Sequence, residues 1–211
     1  MDTEVGEPFP RIDQTTLKKI LGAMARAPDD VYSPAEDSFL MLEAISTIPV
    51  TNKKVLDLGT GSGILGLYCA MRGAIVTVTD IASAAVIYAQ KAAQTLGLTL
   101  AAVQSDLFSN VSERFDLVLF NPPYLSSETV EDRTVDGGKC GRVLAERFLA
   151  GLPTHLNEDG TALLLLSSQN DPASLMADQH VFEASVVAKL PLFFEELHVL
   201  SLKFRANAAR Q

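Results

Sequence analysis

The four residues Asn121-Pro122-Pro123-Tyr124 have an unusual hydrogen-bonding sense. Pro122 and Pro123 fix their φ angles and bring no backbone donors, so the turn offers acceptors on a stiff frame. Asn121 Oδ1 and the Pro122 carbonyl together suit an NH2 group held by both hydrogens. The face of Tyr124 suits a planar group behind it. Such a grip fits alkylation of a planar nitrogen. An amide or arylamine lone pair is delocalised and a poor nucleophile. Two acceptors on its N–H bonds favour a pyramidal nitrogen and aim its lone pair, so alignment does most of the work. No strong base is required, because the proton becomes acidic once the nitrogen is alkylated. A double proline after a strand, taken alone, is a common turn.

A second cluster is Asp57-Leu58-Gly59-Thr60-Gly61-Ser62-Gly63. Glycines permit a tight turn and a close approach of ligand to backbone. A helix that follows presents unpaired N–H groups. Gly61, Gly63 and Gly66 also fit the dinucleotide pattern, with Asp80 19 residues after Gly61. Two ligands therefore compete for the turn. A dinucleotide brings a pyrophosphate, which wants a helix N-terminus and no anion nearby. S-Adenosylmethionine brings an ammonium, a carboxylate and a sulfonium, and no phosphate. Asp57 at the end of a first strand suits the ammonium. Asp80 suits the vicinal ribose hydroxyls of either ligand. Asp106-Leu107 suits an adenine, the carboxylate accepting from the exocyclic amine and the backbone lying beside the ring. The plainer roles are a helix cap for Asp80 and a turn residue for Asp106. An oxidoreductase would set Asp57 against the pyrophosphate and leave Asn121-Pro122-Pro123-Tyr124 without a role.

These residues need a frame to position them. Residues 1–12 lack periodicity and read as a loose tail. Thr15 or Thr16 suits the cap of a short helix with Leu17, Ile20, Leu21 and Met24 on one face. The stretch 31–37 reads as a loop feeding a second helix, with Pro34 near its start and acids in its first turn. Strands and helices then alternate. Strands are expected at 55–58, 74–80, 98–104, 115–120 and 161–167. Helices are expected at 64–72, at 83–96 with Gly97 as the stop, and from about 141 to 155. Residues 125–137 read as a polar loop and 172–180 as a short helix. Two closing strands, 183–190 and 196–204, join through Pro191. The alternation predicts a parallel sheet with helices on both faces, and the closing pair predicts an antiparallel hairpin at one edge.

Composition agrees with a globular chain. Of 211 residues, 47% are hydrophobic and 20% charged, which sets the chain apart from disordered sequences. The net charge of −9 argues against unaided binding to bulk nucleic acid, where phosphate neutralisation dominates affinity. No apolar run approaches the ~18 residues that span a bilayer, and the first residues do not resemble a secretory leader. Cys69 and Cys140 make no disulfide framework and fit a reducing, cytoplasmic setting. Cys69 reads as a small buried hydrophobe and Cys140 as a loop residue. His155, His180 and His198 are scattered and form no metal-ligand cluster.

Asp57 to Gly63 together with Asn121 to Tyr124 resembles the class I S-adenosylmethionine-dependent methyltransferases that act on amino or amide nitrogens. Val31-Tyr32-Ser33-Pro34-Ala35-Glu36-Asp37-Ser38 narrows this. It resembles the opening motif of the HemK-like methyltransferases of eukaryotes and archaea, which modify the glutamine of the Gly-Gly-Gln motif in class I translation release factors. Asp136-Gly137-Gly138, followed by Gly141-Arg142 and a helix, is similar to the same family. The likeness runs from about residue 31 to 204. Bacterial relatives carry an extra N-terminal helical domain, for which residues 1–30 are too short.

That resemblance implies a Rossmann-like α/β fold with a mostly parallel seven-stranded sheet. It divides the chain into a tail and short helix, 1–30, and a methyltransferase domain, 31–211. It implies S-adenosyl-L-methionine as cofactor, bound by Ser38 (more often Thr in the family), Asp57, Gly59, Gly61, Asp80, Asp106, Leu107 and Asn121. It implies a substrate grip of Asn121, Pro122, Pro123 and Tyr124, with Asn121, Pro122 and Tyr124 catalytic. After Asp80 the chain reads Ile81-Ala82-Ser83-Ala84 where the family more often has Asn-Pro. A small zinc-binding activator subunit is implied along the strand near Leu98 to Gln104, making a heterodimer. That strand carries no charge, which is a liability at an edge unless neighbours or a partner cover it. Lysine methylation, methylation of adenine or guanine amines, and a non-catalytic cofactor-binding subunit remain the alternative readings.

Overall fold

The computed structural model describes residues 9–24, 27–29, 31–123, 142–177 and 179–206. Seven strands form one sheet: β1 (Lys54–Leu58), β2 (Ile75–Asp80), β3 (Ala101–Gln104), β4 (Phe115–Phe120), β5 (Leu156–Ser167), β6 (Phe182–Pro191) and β7 (Glu196–Phe204). Their spatial order is β3-β2-β1-β4-β5-β7-β6. The first five run parallel, while β7 lies antiparallel between β5 and β6. The expected parallel sheet with an antiparallel C-terminal hairpin at one edge is the fold observed.

Alternation along the strands builds two cores from one sheet, because successive side chains leave on opposite faces. Val55, Val78, Leu117, Leu119, Leu163 and Leu165 point to one side, where they meet α1 (Gln14–Ala23), α2 (Glu36–Ser46), α3 (Ile64–Met71) and α4 (Ser83–Thr95). Leu56, Leu58, Val118, Phe120, Leu164 and Leu166 point to the other, against α5 (Val143–His155) and α6 (Pro172–Ala177). Both faces are covered, so β1 is buried from Val55 to Leu58 and β4 from Leu117 to Phe120, with Asp57 as the charged residue in that buried stretch.

Several expectations change in detail. The cap of α1 is Asp13, not Thr15 or Thr16. Its carboxylate accepts from Thr15 N at 3.0 Å and Thr16 Oγ1 at 2.6 Å, which draws both threonines into the first turn. Leu21 leaves the apolar face and is exposed. Phe9 and Ile12 are packed rather than loose: Phe9 meets Phe39 with ring centroids 6.0 Å apart, and Ile12 is buried. Strand β3 begins at Ala101, because Leu98 N still bonds Ala93 O at the end of α4 and Leu98 and Leu100 fold back on the core. Strand β5 starts at Leu156, earlier than expected, with a register shift opposite Phe115 and Leu117.

Two glycines differ sharply in the space around them. A Cβ on Gly66 in α3 would sit 2.8 Å from Val78 Cγ1 and 3.1 Å from Asp57 Oδ2. A Cβ on Gly22 in α1 would meet nothing within 4 Å. Gly66→Ala is expected to cost ~1–3 kcal/mol through overpacking. Gly22→Ala is expected to gain roughly 0.4–1 kcal/mol by restricting the unfolded chain. Thermal unfolding of the two variants checks this; equal midpoints would contradict the tight seat of α3 on β1 and β2.

Candidate active site

The glycine turn joins β1 to α3 at the carboxyl end of the sheet, where ligands of open α/β folds bind. Gly59, Gly61 and Gly63 hold φ of +63°, +51° and +84°, a region that side chains with a Cβ rarely adopt. Two carboxylates organise the turn. Asp57 is buried, and its Oδ2 accepts from Thr60 Oγ1 at 2.6 Å and from Gly66 N at 2.9 Å. Burial pushes its carboxyl up to about 7, with these hydrogen bonds pulling the other way. Asp80 closes β2 and reaches across, its Oδ2 accepting from Gly61 N at 2.9 Å and its Oδ1 from Ala82 N at 2.9 Å. It is not the cap of α4, whose N-cap Ala82 has no side-chain bond.

The Asn121 turn leaves β4 beside β1. In register, Asp57 faces Leu119 and Leu58 faces Phe120, so Asn121 emerges next to Gly59. A Cβ on Gly59 would lie 3.4 Å from the Phe120 ring. Asn121 Nδ2 donates to Asp37 Oδ2 at 3.0 Å. Its Oδ1 is buried and has no partner among the described residues. Pro122 is buried and Pro123 half-buried. Tyr124 and the Asp136-Gly137-Gly138 and Gly141 matches lie outside the described residues.

The segment before α2 lies over both turns. A Cβ on Gly61 would come within 3.4 Å of Tyr32 Cβ. Tyr32 OH donates to Asp37 Oδ2 at 2.9 Å. Ser38 is buried, and its N and Oγ donate to Asp37 Oδ1 at 2.6 and 3.2 Å. Asp37 thus ties the anticipated Ser38 to the anticipated Asn121. As an acid in the first turn of α2, Asp37 gives no local sign of this contact, which lies 84 residues away.

Asp106 and Leu107 stand further along the same end, past β3. Ser105 N bonds the Asp80 carbonyl at 2.8 Å, which brings this loop beside the ribose candidate. Leu107 adopts φ +49°, and Ser105 Oγ donates to its carbonyl at 2.7 Å. Asp106 Oδ2 pairs with Arg147 of α5 at 2.9 Å, a partner the sequence did not suggest. A shallow groove of about 300 Å³ lies here, lined by Ile81, Gln104, Ser105, Asp106, Ser109 and Asn110. A larger cavity of about 550 Å³, lined by Lys53, Asp116, Asn157 and Lys203 among others, sits at the amino ends of the strands, away from every residue of this site. Two further groups are taken up by packing. His155 stacks on Phe108 at 4.3 Å, and Cys69 is buried with its thiol pushed up by burial.

Two carboxylates organise the glycine turn, and beside it lies a turn whose two prolines bring no backbone donors and whose Asn121 Oδ1 is unpaired among the described residues. Residues 34–193 match the family described as Methyltransferase small domain. The chain belongs to that family. Among relatives of this methyltransferase is a Methanocaldococcus jannaschii protein bearing the name protein N5-glutamine methyltransferase, 37% identical over 87% of this chain and 96% of its own. Among solved structures, the E. cuniculi Mtq2-Trm112 complex, described as responsible for methylation of the termination factor eRF1, aligns with TM-score 0.69 and 24% identity, over 83% of this chain and 99% of that one. The T. thermophilus 16S rRNA N2 G1207 methyltransferase, solved with AdoMet and guanosine, aligns with TM-score 0.64 and 26% identity, over 82% of this methyltransferase and 44% of that chain.

Proposed function

We propose that this methyltransferase moves the methyl group of S-adenosylmethionine to the side-chain amide nitrogen of the glutamine in the Gly-Gly-Gln motif of a class I translation release factor. The observation that carries the reading is Asn121 Oδ1: a buried acceptor without a partner among the described residues, on a turn that brings no backbone donors at Pro122 and Pro123. A buried polar atom left unpaired costs free energy, and a substrate N–H would relieve it. The M. jannaschii relative, matched over most of both chains, supports glutamine as the acceptor.

The cofactor fits the residues present. Asp57 suits its ammonium, Asp80 its ribose hydroxyls, Asp106 and Leu107 its adenine, and Gly59, Gly61 and Ser38 its methionine end. When bound, it supplies an electrophilic methyl on a sulfonium. The chain's residues do the rest by position. Asn121 Oδ1 and the Pro122 carbonyl accept the two N–H bonds of the acceptor amide and localise its lone pair. No step needs a strong base.

A small zinc-binding activator would pair along β3. That strand is four residues long and uncharged, at the edge of the sheet. Such an edge is a template for another strand. No helix among the described residues is long and apolar enough to cross a membrane, in keeping with work in the cytoplasm. Residues 31–211 are read as the catalytic domain.

The test is transfer of tritium from labelled S-adenosylmethionine, with and without a zinc-binding activator. Acceptors are a release factor, its Gln→Ala variant, DNA and RNA. Label confined to the unmodified factor is expected. Label on the Gln→Ala variant would redirect the reading to lysine, and label on nucleic acid to base amines. Equal labelling with and without the activator would remove the activator from the proposal.

A further inference from the structure

We infer that Asp37 is a positioning residue that sets which way the Asn121 amide faces; the inference rests on the role given to Asn121 above. A primary amide is nearly symmetric in shape, so packing alone does not choose between its oxygen and its NH2. Hydrogen bonding chooses. A carboxylate accepts and cannot donate. With Nδ2 of Asn121 on Asp37 Oδ2 at 3.0 Å, the amide oxygen is turned away from Asp37 and has no partner among the described residues. The flipped amide would set oxygen against carboxylate oxygen.

Asp37 is itself over-determined. It is 3% exposed. Its Oδ2 receives Tyr32 OH as well as Asn121, and its Oδ1 receives both donors of Ser38. No ion pair among the described residues includes it. Held from both sides, it cannot swing away from Asn121 without leaving buried donors unpaired. Donation by Nδ2 to a carboxylate also raises electron density on the amide oxygen, since linked hydrogen bonds polarise one another. That strengthens the acceptor as the substrate N–H becomes more acidic during transfer. Asp37 moves no proton and touches no reacting atom.

Asp37→Asn is the informative change because it keeps shape and burial. The new Asn oxygen stays with Ser38, which places the new NH2 against Asn121. Asn121 then turns its oxygen inward and shows an NH2 to the substrate NH2, donor against donor. The expected result is a fall in kcat of about 100-fold. The KM for the release factor and the cofactor affinity by calorimetry should change by less than about tenfold, because Asp57, Gly61 and Asp80 bond none of the altered groups. Tyr32→Phe, which removes one donor to Asp37 but not the Asn121 bond, should leave the amide's sense intact. The side-chain NH2 signal of Asn121, assigned by its absence in Asn121→Ala, should be shifted downfield in the parent and in Tyr32→Phe, and not in Asp37→Asn. An unchanged signal in Asp37→Asn, or a loss of cofactor affinity equal to the loss in kcat, would overturn the inference. If the parent does not label the release factor, the substrate reading fails separately and the amide signal alone decides the role of Asp37.

Discussion

Asn121→Ala is expected to lower kcat for methyl transfer by about 10³-fold, in the range seen when one aimed hydrogen-bonding group is removed from a reacting centre. The variant loses the buried acceptor, while Asp57, Gly61 and Asp80 stay in place around the glycine turn. Cofactor affinity should therefore change by less than roughly tenfold, which separates chemistry from binding. Folding should suffer only modestly. Asp37 loses one of its donors but keeps Tyr32 and Ser38, a cost of about 1–2 kcal/mol. Single-turnover transfer, calorimetry with the cofactor and thermal unfolding read these three quantities independently. A folded, cofactor-binding Asn121→Ala enzyme with the parent's rate would end the mechanism proposed for this turn.

Asp57→Asn should act on the other half of the cleft. The amide keeps an acceptor for Thr60 and Gly66 but removes the charge facing the proposed ammonium. Leaving one member of a buried charge pair alone costs about 3–5 kcal/mol, which corresponds to a loss in affinity of roughly 10²-fold to several thousandfold. The same carboxyl gives a pH signature in two opposite senses. Its pKa rises from 3.8 in the unfolded reference to about 7 in the folded chain, because burial disfavours the charged form. The folded state thus binds more protons than the unfolded state between those values. The stabilising contribution is complete below pH 3.8 and is lost as pH rises through about 7. Cofactor binding runs the other way, since the ammonium needs the carboxylate. Below about pH 7 a proton must leave Asp57, so affinity should weaken by up to about tenfold per pH unit. Calorimetry in buffers of different ionisation enthalpy at pH 6 should show proton release by the parent and none from Asp57 in Asp57→Asn. Equal release by the two would move the ammonium contact to another group.

Local signals made much of this legible before the structure. Strand β7 occupies 196–204 as expected, and β4 occupies 115–120, because apolar runs bounded by turn residues leave little choice of register. Asp57, Gly59 and Gly61 were readable because one short turn holds them all. What escaped depends on contacts far apart in sequence. Asp37 gains its role only by meeting Asn121, 84 residues on. Arg147 meets Asp106 across 41 residues. The cap of α1 was misplaced by a nearer competition, since Asp13, Thr15 and Thr16 are all good capping types. The packing of Phe9 and Ile12 was missed because two apolar residues among prolines carry no periodicity.

The place of β7 between β5 and β6 has a consequence for how the protein is made. Synthesis delivers β5 and then β6, yet these two are not neighbours, and each waits for β7. Until then one edge of β5 is bare along Leu163 to Leu166, a row of side chains fully buried in the finished fold. At ~5–20 residues per second, the ribosome needs roughly two to seven seconds to pass from the end of β5 to the end of β7. For that interval the nascent chain carries an open, leucine-lined edge that a second nascent copy can pair with.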